Sequence, residues 1–216
     1  MLILVADAFD ASLPGRLSVF GEVTTDHNRL SEANVVLVRS KTKCTKEYID
    51  GAPNLKVIIR GGVGVDNIDT EYALSKGIVV RNTPTSSSIA VAELTMALMI
   101  SVPCNLIEYH QGMKGGNWLK NLKRTELYGK TLCLLGMGNI ACKVAERAQA
   151  FGMNVVAYDK YVTTHQFAKM LPSAEIAVEN ADYISLHLPL TNETTNLVNE
   201  ELLSHCKKKP VVINTG

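Results

Sequence analysis

The chain has 216 residues, a formal net charge of +1 and 46% hydrophobic side chains, enough for one large core or two modest ones but no electrostatic footprint for nucleic acid or an anionic membrane. Its longest apolar stretch, "IAVAELTMALMISVP", carries Glu93 and is too short to span a bilayer, and the apolar "MLILVA" start lacks the basic region of a signal peptide. Five cysteines without a CxxC spacing argue against a disulfide framework or a metal cluster and for reduced thiols in the cytoplasm.

Short β-branched runs alternate with helix-length segments along the chain, the pattern of α/β units with parallel sheets. The first series reads "LILVAD" (2–7), "VTTD" (23–26), "VVLVR" (35–39), "VIIR" (57–60) and "IVVRN" (78–82). Most are continuous apolar runs, as strands buried on both faces require. After Thr83-Pro84 the pattern changes. A long helix is expected from about Ile89, and Pro103 is expected in the first turn of a second helix that ends at the glycines of "KGGNW". A second strand series follows: "TLCLLG" (131–136), "VVAYD" (155–159), "AEIAV" (174–178), "YISLHL" (183–188) and "VVINTG" (211–216). Two parallel-sheet units result, with the second incomplete at its C-terminal end.

The strongest chemical signal is "LCLLGMGNIACKVAERAQAFGMNVVAYDK". A strand enters Gly136-Met137-Gly138-Asn139-Ile140-Ala141, a G-x-G-x-x-A form of the dinucleotide fingerprint. The first glycine permits a tight turn, the second lets backbone approach a pyrophosphate, and the small third residue allows close helix packing. The helix that follows is expected to bury Ile140, Val144, Ala148 and Phe151 and to end at Gly152. Its N-terminus offers amide N–H groups and positive dipole to phosphate oxygens. Asp159, 23 residues beyond Gly136, closes the next strand, where a carboxylate accepts hydrogen bonds from a ribose diol and repels a 2′-phosphate. This favours NAD over NADP, with Lys160 beside it weakening the preference.

Arginines stand at or near three strand ends: Arg39, Arg60 and Arg81. Solvated charge is one reading of each. Arg60 has a further one, because it leads into "GGVGVDN", whose glycine amides suit a carboxylate beside a guanidinium. Asp66 and Asn67 read as turn caps.

The segments "VRSKTKCT", "IIRGGVGVDNID", "RNTP…AVAELTMALM", "ELYGKTLCLLGMGNIACKVAERAQAFGMNVVAYD", "ISLHLPLTNETTNLVN" and "VVINTG" occur in this order. Together the chain resembles the D-2-hydroxyacid dehydrogenases over essentially its whole length, most closely their phosphoglycerate dehydrogenase branch. The resemblance implies a flavodoxin-like substrate-binding domain at 1–95 and a Rossmann NAD-binding domain at 96–216. It places Arg39, Arg60, Gly61, Gly62 and Val63 at the substrate. Gly136, Gly138, Asn139 and Ile140 would meet the pyrophosphate and Asp159 the ribose. Leu188, Pro189 and Thr194 would line the adenine side, and Thr215 and Gly216 the nicotinamide end. His187 reads as a cofactor-lining, structural position, and no metal site is implied. The implied partner is a 2-hydroxy or 2-keto acid, and paired Arg39 and Arg60 suit one that also carries phosphate. A homodimer through helices around 89–115 is implied as well.

The expected reaction is NAD-dependent oxidation of D-3-phosphoglycerate to 3-phosphohydroxypyruvate, the first step of serine biosynthesis. A glyoxylate or hydroxypyruvate reductase and a non-catalytic, corepressor-like NAD-binding protein are the alternatives. In the family an arginine follows the "INTG" strand, and a glutamate and a histidine that supply the proton come later. None of the three lies within these 216 residues. The chain is therefore expected to be part of a longer dehydrogenase and inactive alone, with no catalytic residue assigned within it.

Overall fold

The computed structural model describes residues 1–215. The chain forms two compact units, Met1–Ser87 and Ser88–Gly216, each built on a five-stranded sheet whose neighbouring strands all pair in parallel. The boundary expected at 95/96 falls inside a helix, α4 (Ser88–Ser101). Ala92, Met96 and Met99 of that helix are buried in the core of the second sheet, which draws its first turns into the second unit.

The first unit contains β1 (Leu2–Val5), α1 (Leu13–Leu17), β2 (Glu22–Thr24), β3 (Val35–Val38), α2 (Lys46–Asp50), β4 (Val57–Arg60), α3 (Thr70–Ser75) and β5 (Val79–Asn82). Its order, β2-β1-β3-β4-β5, is the flavodoxin-like one, with a switch point between β1 and β3. Leu4, Val36, Val38 and Ile58 are fully buried in its core. Short polar side chains start α2 and α3: Thr45 Oγ1 accepts from Tyr48 N–H before α2, and Asp69 from Tyr72 N–H before α3.

The second unit continues from α4 with α5 (Leu106–Lys114), β6 (Thr131–Leu135), α6 (Asn139–Ala150), β7 (Asn154–Tyr158), β8 (Lys169–Met170), α7 (Ala174–Val178), β9 (Tyr183–Leu186), α8 (Glu200–Ser204) and β10 (Val211–Asn214). The order β10-β9-β6-β7-β8 is that of five strands of a Rossmann sheet, with the switch point between β6 and β9.

Three local expectations change. "AEIAV" is α7 and not a strand: Ser173 Oγ accepts from Ile176 N–H at its start, and Ala174, Ala177 and Val178 bury one helical face. The third strand of the sheet is instead the two-residue β8. Pro103 lies in the turn before α5, which starts three residues later, after Asn105 in the left-handed region (φ 50°). On α6 the buried face is Ala141, Val144, Ala145 and Ala148. Ile140 packs at its margin and Phe151 is exposed, because small residues let α6 lie close against the sheet and α4.

Candidate dinucleotide site

Register brings the second unit's chemistry to one edge. Leu135 of β6 pairs with Tyr158 of β7 and with Leu186 of β9, so Gly136, Asp159 and His187 are the next residues of three adjacent strands. Gly136 has φ +92°, and a Cβ there would come within 2.5 Å of the His187 carbonyl oxygen. Only glycine makes this turn. Met137 turns its side chain into the core and donates its N–H to Asp159 Oδ2 at 2.7 Å. Gly138 is different. Its φ of −80° is open to any residue, and a Cβ added there would meet no protein atom within 4 Å. The backbone thus faces open space at the start of α6, where the first-turn amides of Asn139 and Ile140 have no intrahelical acceptor.

Asp159 holds the loop from the side. Its Oδ1 accepts from Tyr161 and Val162 N–H at 2.8 and 3.0 Å. Burial alone would raise its pKa, but the three backbone donors outweigh it and hold the carboxyl below its ordinary value. The group is anionic at neutral pH with acceptor capacity left for a diol. Its neighbour Lys160 turns its ammonium to Glu193, at 2.9 and 2.8 Å from the two carboxylate oxygens.

Across the edge, His187 Nε2 lies 2.9 Å from Ser185 Oγ, and burial pushes its pKa down to about 4. The imidazole is therefore neutral at pH 7 and bonded to Ser185 of the strand it follows. Leu188 packs beside Gly136. Thr194 closes the following loop, donating to the Pro189 carbonyl at 2.5 Å and accepting from Thr191 N–H, while Pro189 itself is exposed. Thr215 follows β10 with its hydroxyl 3.4 Å from that of Thr95. Gly216 lies outside the described residues. A glycine cradle open to one side, a helix N-terminus and an anionic carboxylate on the next strand fit a dinucleotide. Among the described residues no group of three metal-ligating side chains occurs.

The first unit brings Asp7 and Arg39 to its switch point by the β1–β3 register. Asp7 Oδ2 accepts from Arg39 N–H at 2.5 Å and Thr42 N–H at 3.2 Å, and Oδ1 accepts from the Thr42 hydroxyl at 2.7 Å. Burial works against the Asp7 charge, yet these donors hold its pKa below the ordinary value. Asn67 is more than a turn cap: its amide donates to the carbonyls of Arg39 and Thr42. The Arg39 head is exposed, with one long contact (3.4 Å) to the Ala8 carbonyl.

Arg60 is mostly covered. Its guanidinium donates to the Gly64 carbonyl and lies 3.7 Å from Asp66, with Nε buried and unpartnered. The Gly61 amide donates to Val38 and that of Gly62 to Arg60 and Thr83. Val63 is exposed and accepts from Asn82 on its carbonyl. Asp7 and Glu193 escaped the sequence reading. Asp7 carries a weak signal, an acid just past an apolar strand, whereas the Lys160–Glu193 pairing spans 33 residues and has no local mark.

A sequence model of the D-isomer-specific 2-hydroxyacid dehydrogenase NAD-binding domain matches residues 96–216. The chain is 44% identical over 191 residues to a D-3-phosphoglycerate dehydrogenase of Methanocaldococcus jannaschii, covering 86% of this chain and 36% of that protein. It is 41% identical over 203 residues to a hydroxypyruvate reductase of Thermotoga maritima, covering 90% and 66%. Among solved structures, an Aquifex aeolicus D-lactate dehydrogenase complexed with NAD and lactic acid superposes with a TM-score of 0.87 at 30% identity, covering 99% of this chain and 68% of that one. The chain thus spans from about a third to two thirds of the curated relatives it matches. With its fingerprint glycines, the acid that closes the next strand and these similarities together, the chain belongs to the D-isomer-specific 2-hydroxyacid dehydrogenase family and carries that family's NAD-binding domain.

Proposed function

We propose that this chain carries the cofactor and substrate grip of an enzyme oxidising D-3-phosphoglycerate with NAD. The observation that carries the cofactor half is the open space over Gly138 beside an anionic Asp159. Bound there, NAD would accept hydride from the substrate's C–H. Gly136, Gly138, Asn139 and Ile140 would hold its pyrophosphate, and Asp159 its ribose. Leu188, Pro189 and Thr194 would flank the adenine, and Thr215 and Gly216 the nicotinamide.

Arg39, Arg60, Gly61, Gly62 and Val63 would grip the acid. The exposed Arg39 head supports this most directly. The amides of Gly61 and Gly62 are bonded within their own unit, so Val63 is the better backbone donor of the three. His187, neutral and tied to Ser185, is unsuited to proton transfer, and this chain alone is expected to bind NAD without turnover.

A second reading is a hydroxypyruvate reductase. Arg60 is engaged by Gly64 and Asp66, which leaves Arg39 as the one freely exposed guanidinium of the pair and matches a substrate with a single anionic group. A steady-state comparison of 3-phosphoglycerate with glycerate on the full-length enzyme tests the choice. A kcat/KM at least tenfold higher for the phosphorylated acid supports the first reading, and equal efficiency supports the second.

A homodimer is part of the proposal. Leu94 and Leu98 of α4 and Leu106, Ile107 and Met113 of α5 are exposed large apolar side chains, and apolar residues gathered on a surface are what a subunit contact would cover. Sedimentation equilibrium checks it. The free cysteines are in keeping with a cytoplasmic enzyme, and fractionation of the expressed protein tests that placement.

A further inference from the structure

We propose that Glu193 is a residue of dinucleotide specificity, acting by neutralising Lys160. The proposal rests on the dinucleotide reading above. Asp159 and Lys160 leave the end of β7, while Glu193 lies in the loop after β9. The sheet order places β6 and its glycine turn between those two strands. The ion pair therefore runs from one side of the glycine loop to the other.

NADP differs from NAD by one phosphate on the adenosine ribose, the sugar assigned to Asp159. Lys160 is the nearest cation along the chain to that carboxylate, and a free ammonium there would attract the extra phosphate. Glu193 holds it with both carboxylate oxygens, at 2.9 and 2.8 Å. Asp159, Lys160 and Glu193 together carry one net negative charge. Without Glu193 the sum is zero and the ammonium is free to turn. Glu193 thus converts a residue that would weaken NAD selection into a neutral one, and adds its own repulsion for phosphate. Both partners are exposed, with side-chain accessibilities of 55% and 69%, so their effect is modest and screened by salt.

The test is Glu193→Gln, which keeps size and removes charge, read by direct fluorescence titration of NADH and of NADPH without substrate. The variant is expected to lower the ratio of NADPH to NADH dissociation constants about fivefold at low salt, through tighter NADPH binding, with the change shrinking at high salt. In a Lys160→Gln background the same substitution should have a clearly smaller effect. Melting temperatures of the variants confirm that both remain folded. A ratio that stays within twofold of the unsubstituted protein, or an equal change with Lys160 removed, overturns the proposal while leaving NADH binding intact. Failure of the unsubstituted protein to bind either dinucleotide overturns the dinucleotide reading as well.

Discussion

The two sheets of this chain present the same kind of edge and treat it in opposite ways. Each reverses strand order beside its first strand, at β1/β3 in one unit and β6/β9 in the other, and such a reversal leaves a crevice at the carboxyl ends of the strands. In the first unit Asp7 occupies it, bonded to Arg39 and Thr42. In the second, Asp159 is drawn to one side by Met137, Tyr161 and Val162, and a Cβ added at Gly138 would meet no protein atom within 4 Å. Topology supplies a crevice, and side chains decide whether the protein itself or a ligand fills it.

The comparison breaks most severely at Gly136. Valine there would need φ near +92° and would press its Cβ to within 2.5 Å of the His187 carbonyl. Strain and steric conflict together should cost about 3 kcal/mol or more. Urea unfolding followed by probes in each unit should show the loss in the second unit. A fully stable Gly136→Val protein would mean that the turn is not pinned against β9.

Next comes the group that supplies that carbonyl. The folded pKa of His187 is about 4, against an ordinary 6.5. The unfolded chain therefore takes up the proton first as pH falls. Stability is whole above pH 6.5 and declines toward pH 4, by up to about 3 kcal/mol. Denaturation curves from pH 7 to 4 should show the decline, and His187→Gln should flatten it. Asp7, whose pKa lies below its ordinary 3.8, keeps its contribution through that window and loses it only in stronger acid. Asp7→Ala, which removes three acceptor contacts in a partly exposed crevice, should cost about 2 kcal/mol in the first unit and leave NADH affinity unchanged. A drop in that affinity would couple the two edges.

How far these features were legible in the sequence depends on the range of the interactions that make them. The glycine loop, its helix and Asp159 follow from a contiguous stretch, because strand, turn and helix are consecutive and one register step sets the acid. "AEIAV" misled because five residues rich in alanine and β-branched side chains fit either state. The capping contact from Ser173 and the burial of one face decide for α7. Arg60 read either as solvated charge or as a guanidinium open to a carboxylate; in the fold it turns back on Gly64 and Asp66, a choice made by loop shape. The Asp7–Thr42 and Lys160–Glu193 contacts join residues more than thirty positions apart, and nothing local announces them.

The smallest expected effect is the most discriminating. Gly138→Ala places a methyl group where φ is −80° and no atom lies within 4 Å, so the folded protein has no reason to lose stability. Replacing glycine at an L-compatible conformation narrows the unfolded ensemble and should raise stability by a few tenths of a kcal/mol. A pyrophosphate that needs the bare backbone would meet that methyl, and NADH affinity should fall about tenfold, equivalent to about 1.4 kcal/mol. Paired melting and NADH titration measurements read both quantities on one protein. Unchanged affinity would mean that the space over Gly138 is not where the pyrophosphate rests. Lost stability would mean that the space is needed by the protein itself, and the contrast between the two crevices would close.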